Sequence, residues 1–320
     1  MLANEYCRSE YDYCVYYKMF SSGIYIYLLL YVDDILIASV DKGEVHKLKA
    51  LLKSEFEMKD LGDSKKVLGM EIVKDRVKGG LWISQESYLM KVLSNFGMEQ
   101  AKEVSTPMEA HFKLQSATDS ELLSHADYME NVPYQSAVGS IMYSMVGTRP
   151  DMAYSRISYR NRGDFVVRGY CDSDYAGDQD QRRSITGMVF TAGGNTISWR
   201  STLQKIVALS STEVEYVSLS EAVKEGVWLK RFAEELGFSQ ESVEIHCDSQ
   251  SAIALSKNAV HHERTKHVTV KYHFIRDLIS CGEVKVLKIP TAYNPADIFT
   301  KVLSVFKLRE ALKMLRVSKD

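Results

Sequence analysis

Two apolar runs separated by a pair of acids constrain this chain more than any other feature. Ile24 to Val32 reads IYIYLLLYV and Ile35 to Ser39 reads ILIAS, with only Asp33 and Asp34 between them. Short runs rich in β-branched and aromatic residues form strands, and two of them joined by a polar dipeptide form a hairpin. Their near-continuous apolarity reads as strands largely buried on both faces. An isolated two-stranded hairpin is marginal in water, so further elements must cover it.

Those elements follow directly. Val45 to Phe56 carries Leu48, Leu51, Leu52 and Phe56 on one helical face. Residues 67–73 and 80–84 read as a strand pair turning at Gly79-Gly80, and Ser84 to Phe96 as an amphipathic helix with Tyr88, Val92 and Phe96 on one side. Ser105 to Asp127, with Pro107 and small polar residues, reads as a surface connection. Tyr134 to Val146 is helical and stops at Gly147-Thr148-Arg149-Pro150. Arg156 to Arg168 is basic and poorly periodic, and the domain boundary is placed there, giving 1–162 and 163–320.

The second half alternates strand and helix. Val166 to Asp172, Ile185 to Thr191, Thr196 to Trp199 and Ile206 to Leu209 are strand-like. Ser210 to Leu236 is a long helix, opened by Thr212 with Glu215 as a capping box and closed by Gly237. Val243 to Cys247 is a strand, followed by a short helix to Asn258 and a helix marked by Val270, Phe274 and Leu278. Val284 to Ile289 is a last strand, and Pro295 opens a final helical stretch. Strands first and alternation afterwards point to an α/β domain with a mixed sheet.

Composition narrows the function classes. In 320 residues, 40 Lys and Arg against 42 Asp and Glu give a net charge of −2, so only local clusters can speak for a nucleic-acid partner. Five scattered cysteines without a C-x-x-C pair argue against a disulfide framework or a thiolate zinc site and for a reducing compartment. Asn4, Glu5 and Arg8 so soon after Met1 leave no signal peptide. The longest apolar run, Ile24 to Val32, is about half of what a bilayer needs, so a soluble, cytoplasmic chain is expected.

Four acids of the second half fall where its architecture exposes an edge. Asp172 ends the first strand, Glu215 opens the long helix, Asp248 follows Cys247, and Asp297 lies just after Pro295. If the strands bearing Asp172 and Asp248 are neighbours, all four converge at one sheet end. Such a cluster repels itself unless cations neutralise it. Hard divalent ions suit carboxylates, Mg²⁺ first, and two of them could clamp the attacking and leaving oxygens of a phosphodiester. Acids are also common at strand ends and helix N-termini without any such role, and Glu213 competes with Glu215. In the first half, Tyr31-Val32-Asp33-Asp34 could present two carboxylates to a cation pair, or be a solvated acidic turn.

Basic residues give the remaining candidates. His261, His262, His267 and His273 are half of the eight histidines, but Arg264, Lys266, Lys271 and Arg276 among them would oppose a metal. A surface for phosphates is favoured over zinc. Arg182-Arg183 is a second candidate phosphate contact, with a solvated turn as the alternative.

Taken together, the stretches RSEYDYCVYY, LLLYVDDILIAS, VLGMEI, TRPDMAYS, GYCDSDYAGD, SITGMVF, ISWRSTLQKIVALSSTEVEYVSL, IHCDSQSAIALSKN, HERTKHVTVKYHFIRD and NPADIFTK resemble the Pol polyprotein of Copia-type LTR retrotransposons, the plant Tnt-like group in particular. The resemblance implies an α/β chain: an α+β remnant of a reverse transcriptase palm and thumb, then a ribonuclease H-like domain with a mixed five-stranded sheet and flanking helices. It maps the polymerase metal-binding motif onto Tyr31, Val32, Asp33 and Asp34. The ribonuclease H acids fall on Asp172, Glu215, Asp248 and Asp297, which in the family bind two Mg²⁺, with Mn²⁺ as the substitute. The implied partner is an RNA–DNA hybrid gripped by backbone and 2′-hydroxyls, and the implied setting of an intact element is a cytoplasmic virus-like particle.

The sequence also departs from the family pattern. Fingers and a third polymerase aspartate would precede Met1, and a helical segment of the family is missing between Ala153 and Val166. The stretch IPTAYNPAD before Asp297 lacks the histidine that many ribonucleases H place there. The expectation is therefore a hybrid-cleaving ribonuclease attached to a reverse transcriptase remnant unable to polymerise. The alternative is an inactive relic, or a nucleic-acid-binding module that keeps the fold.

Overall fold

The computed structural model describes residues 1, 4–77, 79–106, 108, 115–148, 156–160, 165–257 and 269–318. The chain opens with strands β1 (Cys7–Arg8), β2 (Val15–Met19), β3 (Tyr25–Tyr31) and β4 (Asp34–Ser39), which form one antiparallel sheet in that order. The apolar hairpin is β3–β4, with Tyr31 paired to Asp34 and Val32-Asp33 at the turn, where Val32 takes a positive φ of 50°. Its burial alternates, unlike the two-faced burial expected from the sequence. Ile26 and Leu28 are buried whereas Leu30, Tyr31 and Val32 are exposed. The cause is that helix α1 (Lys42–Glu55) covers one face, through Leu48 and Leu52. Phe56 caps that helix in an extended conformation and points to solvent instead of joining the face.

Strands β5 (Lys66–Val67), β6 (Met70–Asp75) and β7 (Gly80–Ser84) precede helices α2 (Glu86–Asn95), α3 (Asp119–Glu130) and α4 (Tyr134–Gly147). The region read as a mere connection thus contains α3. Its start is a capping box in which Thr118 accepts from the Glu121 amide while Glu121 accepts from the Thr118 amide. The basic stretch read as aperiodic contains β8 (Arg156–Arg160), paired antiparallel to β7.

The second half builds the sheet that positions the acids. Strands β9 (Val167–Ser173), β10 (Ile185–Ala192) and β11 (Asn195–Leu203) run antiparallel, and β12 (Val243–Cys247) and β13 (Val284–Lys288) join parallel to β9. The order β11-β10-β9-β12-β13 is the mixed five-stranded sheet of the ribonuclease H-like expectation. Helices α5 (Ser211–Glu235), α6 (Gln250–Lys257) and α7 (Thr269–Ser280) cover one face, around Phe190, Tyr216, Leu219, Val223 and Ile245. A Cβ on Gly226 would lie 2.9 Å from Ile245 Cδ1, so the glycine lets α5 settle onto the sheet. A 3₁₀ turn at Pro295–Phe299 and helix α8 (Val305–Met314) cover the other face, with Val189, Phe299 and Leu315 at their contact. Strand β14 (Val317–Ser318) then pairs with β8, so the third sheet, β14-β8-β7-β6-β5, takes strands from both halves.

Three local readings need correction. Ile206 to Leu209 is not a strand; the chain there leaves β11 in bends. The start of α5 is capped by Ser210, whose hydroxyl accepts from the Glu213 amide, and Glu213 in turn accepts from the Leu209 amide at 2.8 Å. Glu215 therefore lies one residue beyond the first turn and is free of capping. Asp297 sits in the 3₁₀ turn rather than in an α-helix. The proposed boundary near residue 163 lies outside the described residues.

The halves also touch along the C-terminal end of α5. Tyr27 donates to the Leu236 carbonyl at 2.7 Å, the Glu10 amide to Glu235 at 2.9 Å, and Trp228 to the Tyr11 carbonyl at 3.3 Å. No helix among the described residues is long and apolar enough to cross a membrane.

Candidate active site

Parallel pairing of β9 with β12 places Cys171 opposite Cys247, so Asp172 and Asp248, each one residue further on, emerge side by side. Asp172 is fully buried and Asp248 half-buried. On β10, Gly187 stands opposite Asp172 in the register. A Cβ there would meet Thr300 Cγ2 at 2.7 Å, Phe299 Cβ at 2.8 Å and the Ala296 carbonyl oxygen at 3.0 Å. The glycine is what allows the 3₁₀ turn to close over the sheet and bring Asp297 to Asp172. Glu215 approaches from α5 on the opposite face.

Ligand-type atoms of these residues gather in two overlapping groups. Asp172, Asp248 and Asp297 offer oxygens within 4.8 Å of one another, and so do the ligand atoms of Glu215, Cys247 and Asp248. Asp248 is common to both. The buried Glu215 Oε2 has no hydrogen-bond partner. Buried carboxylates are not left unsatisfied without cost, and a carboxylate-rich set with an orphaned oxygen fits a hard divalent cation. These are residues that could hold a metal.

The electrostatics agree. Burial pushes the Glu215 carboxyl up to about 9, with the neighbouring Asp172, Cys247 and Asp248 adding to it and Lys301 opposing. Burial raises Asp172 to about 6, against the Thr300 hydroxyl and the Lys301 ammonium, which favour its charged form. Asp297 is raised by burial as well, opposed by Lys301. Without a cation Glu215 therefore keeps its proton at neutral pH, and a metal must displace it.

The supporting residues carry much of this geometry, and motif spacing alone did not single them out. Lys301 donates to Asp172 Oδ1 at 3.0 Å and to Asp297 Oδ1 at 3.2 Å, and the Thr300 hydroxyl donates to the other Asp172 oxygen. Ser218 donates to the Asp172 carbonyl at 2.7 Å, and Asn294 to the Cys171 carbonyl at 2.9 Å. The signal available in sequence was the run ADIFTK itself, in which Asp297 and Lys301 are four residues apart. Glu213 is not in the cluster, because its carboxylate is engaged by the Leu209 amide. Asp174 accepts from the Ile185 amide and shapes the loop between β9 and β10.

Other candidates stand apart from this centre. Asp33 and Asp34 are exposed at the hairpin tip beside Tyr31, and among the described residues no third acid joins them in a cluster able to hold a metal. Arg182 has a positive φ of 56° in the β9–β10 loop, and Arg183 faces Asp178 at 3.7 Å. Arg264 and Lys266, with His261, His262 and His267, lie outside the described residues. Lys271 is within α7, but its side chain is likewise outside the description.

Residues 1–110 match the family "Reverse transcriptase (RNA-dependent DNA polymerase)". Over 334 aligned residues the chain is 46% identical to the retrovirus-related Pol polyprotein from transposon TNT 1-94 of Nicotiana tabacum, covering 95% of this chain and 25% of that polyprotein. The chain belongs to the retrotransposon Pol polyproteins of the Copia type. A second relative, the Pol polyprotein from transposon RE1 of Arabidopsis thaliana, is 34% identical over 87% of this chain and 21% of its own length. This Pol chain thus spans about a quarter of the curated relatives it matches. Among solved structures, the ribonuclease H1 of Halobacterium salinarum is similar over 46% of this chain and 97% of its own, at 21% identity and a TM-score of 0.32.

Proposed function

We propose that residues 163–320 form a ribonuclease H unit that hydrolyses the RNA strand of RNA–DNA hybrids, and that residues 1–162 are a reverse transcriptase segment that does not polymerise with Asp33 and Asp34 alone. The observation that carries this reading is the pair of ligand groups sharing Asp248 at the C-terminal ends of adjacent parallel strands. Asp172, Asp248 and Asp297 would hold one Mg²⁺, and Glu215 with Asp248 a second, Mn²⁺ being the nearest substitute. When bound, two such ions supply an activated water and neutralise charge on the phosphodiester.

The chain's own residues orient and protect the site. Thr300 and Lys301 fix the plane of the Asp172 carboxylate, and Asn294 anchors the 3₁₀ turn to β9, so that Asp297 keeps its place beside Asp172. Burial of Asp172 and Asp297 keeps bulk water from competing for their oxygens. Arg182, Arg183, Arg264, Lys266 and Lys271 are the groups proposed to grip the phosphates of the hybrid, with Tyr31 a further contact from the reverse transcriptase segment.

The test is cleavage of a labelled RNA–DNA hybrid with Mg²⁺ by the 320-residue chain. Cleavage that is lost in Asp172→Asn with an unchanged circular dichroism spectrum supports the assignment. Parent-level Mg²⁺-dependent cleavage by that variant would falsify it. Equal cleavage of an RNA duplex would replace the hybrid with a broader substrate class, and hybrid binding without cleavage would leave a binding module.

A further inference from the structure

Lys301 stands where a cation belongs. Its ammonium lies 3.0 Å from Asp172 Oδ1 and 3.2 Å from Asp297 Oδ1, two of the three acids in the Asp172–Asp248–Asp297 group. A divalent ion ligated by both acids would take the same lone pairs at roughly 2.0–2.6 Å, which leaves no room for the ammonium. We infer that Lys301 is the resident occupant of that cation position. It is a positioning residue that holds Asp172 and Asp297 together in the metal-free protein and is displaced when a divalent ion enters.

Three observations converge on this role. The Thr300 hydroxyl holds the second Asp172 oxygen, so the carboxylate cannot turn away from Lys301 to find another partner. The Lys301 side chain is 37% exposed, whereas those of Asp172 and Asp297 are 1% and 7% exposed. The lysine therefore has a path to solvent that the acids lack. Both of its hydrogen bonds go to this group and neither goes to the Glu215–Cys247–Asp248 group. Loading an ion at the first position must break two charge-assisted hydrogen bonds, and loading the second breaks none. The two positions consequently differ in affinity, and Lys301 sets the weaker one.

This inference rests on the two-cation reading proposed above, and Mn²⁺ titration followed by electron paramagnetic resonance separates the two. The parent chain should bind one Mn²⁺ more tightly than the other. In Lys301→Met the weaker ion should bind about tenfold more tightly, a gain of about 1.4 kcal/mol, with the tighter ion essentially unchanged. Lys301→Gln, which keeps a donor between the two carboxylates, secures the measurement if the Met variant folds poorly, and should strengthen the same ion. Equal strengthening of both ions would indicate only the loss of a distant positive charge and would overturn the role given to Lys301. Unchanged affinities would overturn it also. Failure of the parent and both variants to bind Mn²⁺ would overturn the two-cation reading itself, and this inference with it.

Discussion

Glu215 and Glu213 lie two residues apart on α5 and have unrelated surroundings. Glu213 accepts an amide hydrogen bond at the exposed helix start, whereas Glu215 is turned into the acid cluster with one oxygen unpartnered. Glu215→Gln is therefore expected to abolish hybrid cleavage and Glu213→Gln to leave it near parent level, with a stability loss of up to about 1 kcal/mol from the weakened helix start. Asp174→Asn should likewise be mild in cleavage, since Asp174 serves the Ile185 amide. The raised carboxyls also give metal-free stability a pH dependence of defined sign. Asp172 at about 6 and Glu215 at about 9 bind protons in the folded state that the unfolded chain, titrating near ~4, has already released. Stability should then fall as pH rises from about 5 to about 9 in the presence of a chelator, and Mg²⁺ should recover it. Thermal unfolding of the parent and Glu215→Gln checks this, the variant showing the shallower decline. A parent whose melting temperature climbs across that range would contradict it.

At the scale of elements, the site depends on how closely the 3₁₀ turn approaches β10. Gly187→Ala forces a methyl against Thr300, Phe299 and the Ala296 carbonyl. The expected cost is about 1–3 kcal/mol of stability from overpacking. Asp297 and Lys301 should also shift away from Asp172, so Mn²⁺ affinity should drop along with stability. Denaturant unfolding and Mn²⁺ titration on the same variant test both, and full parent stability would show that the turn can yield at no cost. Gln204 makes a comparable tie on the other side of β9. Its buried amide nitrogen lies 3.1 Å from Ser173 Oγ, 3.0 Å from Thr186 Oγ1 and 3.1 Å from the Val214 carbonyl, linking two strands to α5.

At the scale of the molecule, β14 joins the C-terminal segment to a sheet whose other strands lie in the first half. Val317 is buried against Val189 and Leu315. Removing residues 317–320 should cost about 2 kcal/mol from that lost burial. Amide exchange should accelerate in β7 and β8, far away in sequence, while the acid cluster keeps its Mn²⁺. Exchange that quickens only in α8 would show that the halves are energetically independent. Polymerisation is the converse case. Asp33 and Asp34 occupy one exposed hairpin tip, and nucleotidyl transfer needs metals held from more than one strand. Primer extension on an RNA template by this chain is expected to be undetectable, and any template-directed product would refute that.

The sequence by itself determined the elements whose periodicity is strong and local. The apolar hairpin, the long amphipathic α5 and the strands leading to Asp172 and Cys247 could all be read from side-chain pattern, because a strand or helix that is to be buried shows it in the run and spacing of its apolar residues. The family could be read from the order of motifs such as YVDD and NPADIFTK, through their resemblance to known Pol sequences. Short-range capping was less legible: Thr212 and Glu215 satisfied a box pattern, but the helix is capped by Ser210 alone and Glu213 accepts from the Leu209 amide, since several registers of one polar run can cap a helix. Tertiary structure alone decided the rest. It decided that the hairpin buries Ile26 and Leu28 on one face, because α1 covers that face. It decided that Arg156–Arg160 is a strand, because its partners are β7 and a C-terminal strand far along the chain. It placed Lys301 between Asp172 and Asp297, contacts spanning 129 and 4 residues. The charge of a lysine is visible in sequence, but which buried carboxylate it neutralises depends on sheet register and on a glycine that lets two segments close.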